Sequence, residues 1–156
     1  MWQRLFPSFA ESGLWMNKSS FEEILERDGR LVYTNVGDSM LPLIREGRDL
    51  LVIRPCEGRL RWLDIPLYRR DSGQYVLHRV MKVRTDGYVM CGDNRWGLER
   101  VPDRQIVGVL TSIIRDGKEM PMSGFGIRMY SIVWYLLYPL RYCCLRLLSA
   151  LSSRGH

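Results

Sequence analysis

The stretch YVLHRVMKVRTDGYVMC, residues 75–91, decides what kind of fold this chain builds. Tyr75 to Val83 and Gly87 to Cys91 are both rich in valine, tyrosine and other side chains that fit a pleated surface. Thr85-Asp86-Gly87 lies between them, and Asp-Gly between two such runs signals a tight hairpin. Similar runs stand on either side: RLVYTNV (30–36), DLLVIRP (49–55), RWLDIPLYRR (61–70) and QIVGVLTSIIR (105–115). Turn residues separate them at Glu57-Gly58, Asp71-Ser72-Gly73 and Asp93-Asn94. Short strands with regular punctuation predict a mainly β domain over residues 31–116, a barrel or a sandwich.

Two other textures flank this domain. Upstream, Ser20-Phe21-Glu22-Glu23 is a capping box that opens a short helix, and Gly29 ends it, so residues 1–30 form an N-terminal segment with one helix. The start MWQRLFPSFAESGLWMN has no unbroken apolar core of the kind a signal peptide needs. Its Trp2, Leu5, Phe6 and Phe9 suit either a membrane contact or packing on the domain. Downstream, the glycines and Pro121 mark residues 117–127 as a linker. Residues 128–156 form an amphipathic hydrophobic tail. Arg128, Ser131, Tyr135, Tyr138, Tyr142, Arg146, Ser149 and Ser153 recur at steps of three and four. On a helix they make one polar-aromatic stripe, opposite Ile132, Val133, Leu136, Leu137, Leu140, Leu147 and Leu151. Arg141 and Arg146 interrupt the apolar run, which falls short of the about 20 residues a bilayer span requires. Tyrosine and snorkelling arginine beside leucine favour a helix lying in the membrane interface. The competing expectation is a helix folded back on its own sheet. Pro139 should kink or split it.

Composition narrows the partners. The 156 residues carry a net charge of +6, but the arginines are scattered and form no basic helix or run, which argues against nucleic acid. An anionic membrane surface suits the same charge. Four cysteines without Cys-x-x-Cys spacing and two histidines, His78 and His156, leave a zinc site short of ligands. No metal or cofactor is implied.

The chemistry centres on VGDSMLPLI, Val36 to Ile44. Ser39 follows a strand and a Gly-Asp turn, and Pro42 keeps the next residues from settling into a helix. A serine nucleophile needs a base, and the base benefits from an acid that orients it. His78, in the strand YVLHRV, is the histidine within the β domain; Lys82 lies further along the same strand. Asp93, in CGDN, sits in the turn after a strand.

These boxes resemble those of the signal peptidase and LexA-type serine peptidases. GDSM with Pro42 is similar to their serine box, and LHRVMKV to the strand carrying the general base. CGDN followed by IVGVL resembles their Gly-Asp-Asn and Gly-Val elements. Asp64-Ile65 resembles part of a Gly-Asp-Ile-Val pattern, here Leu63-Asp64-Ile65-Pro66. Gly47-Arg48-Asp49 stands where the family has Gly-Asp. The four boxes come in family order over Leu31 to Ile114. The resemblance implies a barrel-like β catalytic domain, with Ser39 as nucleophile and its backbone N–H in the oxyanion hole. His78 takes the base position, as in the endoplasmic-reticulum and archaeal type, whereas bacterial signal peptidases and LexA-type proteins use lysine. A neutral-pH base without strong desolvation is what histidine offers there. Asp93 matches the acid of the Gly-Asp-Asn box. Glu99 stands about where a second aspartate follows in the His-type enzymes, so either carboxylate is a candidate to face His78, and the direct match to the Gly-Asp-Asn box favours Asp93.

The expected function is a membrane-associated serine endopeptidase that cleaves an exported or precursor peptide. Two competitors are a catalytically silent binding module of the same fold and a LexA-like regulator that cleaves itself. The latter is disfavoured by the short stretch before the β domain and by His78 in place of lysine.

Overall fold

The computed structural model describes residues 20–34 and 36–152, with the side chains of Leu145 and residues 148–152 excepted. Trp2, Leu5, Phe6, Phe9, Ser153 and His156 lie outside the described residues. Helix α1 (Phe21–Asp28) opens at Ser20, whose side chain accepts the Glu23 N–H while Glu23 accepts the Ser20 N–H; Gly29 closes it in the left-handed region.

Among the described residues nine strands follow: β1 (Leu31–Thr34), β2 (Asp49–Arg54), β3 (Pro66–Arg69), β4 (Tyr75–Leu77), β5 (Arg79–Arg84), β6 (Gly87–Cys91), β7 (Glu99–Val101), β8 (Ile106–Arg115) and β9 (Lys118–Pro121). One sheet runs β1-β2-β8-β3-β4, with β9 also paired to β8; β5-β6-β7 form a second. Every pairing is antiparallel. Register shifts at Val52/Ile53 and Leu67/Tyr68 bend the larger sheet into a curled half-barrel, as inserted residues do. The protein is mainly β, with three α-helices among the described residues.

Three segments differ from the sequence expectation, each for a local reason. The run 75–83 is two strands, because the chain leaves the large sheet after Leu77 and enters the small one at Arg79, with His78 at the crossing. Only residues 66–69 of the run 61–70 are strand; Arg61 to Ile65 turn, with Leu63 at φ +72° and the Arg61 N–H bonded to the Asp64 carboxylate. The stretch expected to be a linker begins with β9. Asp116 and Gly117 both have positive φ and close a two-residue hairpin from β8, the geometry that Asp-Gly favours.

The core explains the VGDSMLPLI stretch. Met40 and Ile44 are fully buried among Leu25, Leu31, Leu51, Ile53, Leu67, Leu77, Leu110 and Ile113. They anchor the loop from below, so Ser39 is left facing the surface. Asp49, fully buried at the start of β2, holds the far end of the same loop: its carboxylate accepts the Arg45 N–H (2.8 Å) and two Arg115 bonds (2.7 and 2.6 Å). Arg115 also donates to the Leu43 carbonyl. A second cluster, Leu60, Tyr68, Val80, Tyr88, Met90 and Val101, fills the space between the sheets.

The chain then forms α2 (Phe125–Leu136) and α3 (Tyr138–Ser152). The helix divides at Leu137, and Pro139 occupies the first turn of α3, where its missing N–H breaks no bond. No helix among the described residues is long and apolar enough to cross a membrane.

Candidate active site

Ser39 and His78 meet at one cleft of about 620 Å³, walled by the loop 36–39, by Gln74 to His78 and by Arg95 to Glu99. His78 reaches it from the crossing between the sheets. Its Nδ1 lies 3.1 Å from the Tyr68 hydroxyl, which donates to Glu99 Oε2 at 2.8 Å. Arg70 grips the same carboxylate with two bonds of 2.8 and 2.6 Å. That guanidinium, joined by the Tyr68 bond, holds Glu99 below the usual carboxylate range against the opposing effect of burial.

The tautomer of His78 follows from this chain of bonds. Ionised Glu99 can only accept, so the single Tyr68 proton points at it. The Tyr68 oxygen therefore accepts from His78 Nδ1–H, which leaves the Nε2 lone pair free. Burial pushes His78 down to about 4, so the ring is neutral near pH 7. Burial, and then the ionised Glu99 beside it, push the Tyr68 phenol far up, and it stays protonated.

Gly92 lies between Ser39 and His78. A Cβ placed there would stand 2.7 Å from the Ser39 carbonyl and 3.1 Å from His78 Nε2, so only glycine fits. The next residues clamp the serine loop: the Asn94 N–H donates to the Ser39 carbonyl at 2.8 Å, and Arg95 pairs with Asp38 at the surface. Ser39 Oγ makes no hydrogen bond to another described residue, which leaves it open to the cleft.

Asp93 takes a different position from Glu99. Its carboxylate is 2% exposed and paired with Arg79, 1% exposed, through two bonds of 2.8 and 2.7 Å. It makes no hydrogen bond to His78. The carboxylate linked to the histidine is that of Glu99, through Tyr68. Tyr68 and Arg70 were not singled out in the sequence. Their spacing of two, Tyr68 in β3 and Arg70 one residue past its end, is the available clue. Lys82 is exposed on β5 and does not line the cleft.

The tail docks through Ser131, Tyr135, Tyr138 and Tyr142 of the expected stripe, joined by Tyr130, Trp134 and Arg141 from outside it, while Arg128 and Arg146 of the stripe stay exposed. Ser131, 4% exposed, accepts from Arg79 at 2.7 Å; Tyr130 donates to the Asp93 carboxylate; Trp62 meets Tyr135 edge-on. Arg141, expected to snorkel outward, turns inward to the Asp93 carbonyl and stacks over Trp134 with its charge centre 4.3 Å from the ring. The opposite face is bare: Phe125 (82% exposed), Met129, Val133, Leu136 (68%), Leu140 and Leu147 follow one another at helical spacing.

Among the described residues no three His, Cys, Asp or Glu side chains cluster as metal ligands. Cys91 is buried and Cys56 half-buried, and burial pushes both thiols up to about 11; Cys143 and Cys144 are exposed. No protein-family model matches the chain, and neither does a curated protein or a solved structure.

Proposed function

We propose that the chain is a membrane-associated serine endopeptidase of the signal peptidase type, cleaving a signal or precursor peptide. The observation that carries the reading is the meeting of Ser39 and His78 at one cleft, with the histidine proton held on Nδ1 by Tyr68 and Glu99. Nε2 removes the Ser39 proton as Oγ attacks the scissile carbonyl, and returns it to the departing amine. The Ser39 N–H stabilises the oxyanion. Glu99 acts through Tyr68 by stabilising the imidazolium. Asp93 holds the loop rather than the base. The curled sheet agrees with a signal peptidase or LexA-like barrel.

Membrane association rests on the bare face of α2 and α3. With Ser131 and the tyrosines turned to the β domain, an apolar row flanked by the exposed Arg128 and Arg146 is presented outward. An interfacial helix needs that division.

A catalytically silent binding module is the second reading, favoured by the unbonded Ser39 Oγ. Apo catalytic hydrogen bonds often tighten only with substrate, so the gap does not exclude an enzyme. Labelling with a serine-directed fluorophosphonate separates the two. The enzyme should be labelled at Ser39, and both Ser39→Ala and His78→Ala should lose labelling and peptide cleavage, each nearly as completely as the double variant. Folded protein that never labels at Ser39 favours the silent module.

A further inference from the structure

The peptidase reading leaves one feature unused. The docked tail does not merely cover the β domain; it grips the loop that sits against the catalytic pair. The Asp93 carbonyl accepts from Trp134 Nε1 at 3.1 Å and from Arg141 Nη1. Among the described residues both of its hydrogen bonds come from the tail. Gly92 on one side of Asp93 packs on the Ser39 carbonyl and His78 Nε2, and Asn94 on the other side donates to the Ser39 carbonyl. Further along the same segment, the Trp96 carbonyl accepts from Tyr138 at 2.8 Å, and its ring meets Tyr142. Arg141 is itself fixed, donating to the Trp134 carbonyl.

Resting on the peptidase reading, we infer that Trp134 and Arg141 are positioning residues for the reaction: they fix residues 92–94, and through them the placing of Ser39 against His78. The tail is thus part of the active-site architecture as well as a membrane contact. The physical ground is leverage. Asp93 is bracketed by the two residues that touch the catalytic pair, so displacing its carbonyl displaces both contacts. A misplacement of about 1 Å at a reacting centre costs roughly 100-fold in rate. The Arg79–Asp93 ion pair resists such a shift at the carboxylate, but leaves the carbonyl free to rotate once its two donors are gone.

The test uses full-length protein and two readouts, the rate of Ser39 labelling by a small fluorophosphonate and hydrogen exchange at the Asn94 amide by NMR. A Trp134→Phe/Arg141→Met double variant keeps bulk and removes both donors. It should label about 10- to 100-fold more slowly, and its Asn94 amide should exchange at least about tenfold faster as the bond to Ser39 loosens. Restoring a donor with Arg141→Lys in the Trp134→Phe background should recover much of both. Cys143→Ala, exposed on α3, should match wild type. A folded double variant with wild-type labelling or wild-type Asn94 protection overturns the inference. If the double variant does not fold, Trp134→Phe alone decides in the same way, a slowing of labelling with faster Asn94 exchange supporting it. Wild-type protein that never labels at Ser39 overturns the peptidase reading instead, and Asn94 exchange then decides whether the tail holds the loop.

Discussion

Two carboxylates, Asp93 and Glu99, lie near His78, and their surroundings give them separate work. Asp93 is buried with Arg79, and removing one member of such a pair strands a buried charge. Asp93→Ala should therefore destabilise the fold by about 3–5 kcal/mol, seen as a lowered midpoint in denaturant. Glu99 is about a third exposed in its side chain and reaches the histidine only through Tyr68. Glu99→Gln should cost far less stability while reducing turnover, and Tyr68→Phe should do likewise by releasing the His78 tautomer. A Glu99→Gln enzyme with wild-type kcat would return the acid role to Asp93. The pH dependence of His78 can be worked out from its burial. A histidine at about 4 has lost its proton well below the ordinary 6.5, so kcat/KM should rise through an acid limb near 4 and be flat to neutrality. A limb near 6.5 would point to an exposed imidazole or another base. Stability carries the same sign. Between about 4 and 6.5 the unfolded chain binds a proton that the folded chain does not, so this contribution grows as pH rises through that window. It is complete above 6.5 and lost on acidification to 4, which denaturant titrations at several pH values would read.

At the scale of elements, the tail helices are the informative case. Their tyrosines and Ser131 face protein, while Val133, Leu136 and Leu140 face outward. Replacing those three by serine should abolish flotation with phosphatidylserine-containing liposomes and leave the docked face intact. Arg146→Glu should weaken binding to anionic vesicles by about 1 kcal/mol, because Arg146 is exposed. Arg141 is committed to Asp93 and belongs to the other face. Wild-type protein that stays at the bottom of the gradient with and without anionic lipid would sink the membrane contact. The hairpin β8–β9 shows the same lesson in a strand. Asp116-Gly117 supports a tight turn with both residues at positive φ, and Ser112, Ile113 and Ile114 pair across it with Pro121, Met120 and Glu119.

On the scale of the whole molecule, the cleft and the bare helix face are connected, since the helices that carry that face also contact the cleft wall through Trp96. On the proposed function, a peptidase held at the membrane by that face would meet a membrane-inserted precursor at a raised effective concentration. The outward triple serine variant should therefore cleave a short soluble peptide at the wild-type rate and a membrane-inserted precursor at least about tenfold more slowly. Equal losses on both substrates would mean that the face serves folding rather than anchoring.

The sequence alone determined the features that depend on neighbours along the chain. Asp86-Gly87 marked a hairpin, Ser20 and Glu23 a capped helix, and three-and-four spacing a two-faced tail, because turn preference, capping and periodicity are local properties. It also singled out Ser39, His78, Asp93 and Glu99 as site candidates by residue type and order. What only the tertiary structure decided was which of them touch. By its match to the Gly-Asp-Asn box Asp93 is the favoured acid on paper; Arg79, one residue past His78, claims Asp93 instead, while Tyr68 crosses from β3 to bring Glu99 to the histidine. Likewise the spacing of the tail described two faces without saying which one meets protein. The buried Arg79–Asp93 pair and the Asp93 carbonyl decided that, because they needed further hydrogen-bond partners, which Ser131, Tyr130 and Trp134 supply. Leucines offered nothing to those groups, and so they were left outside.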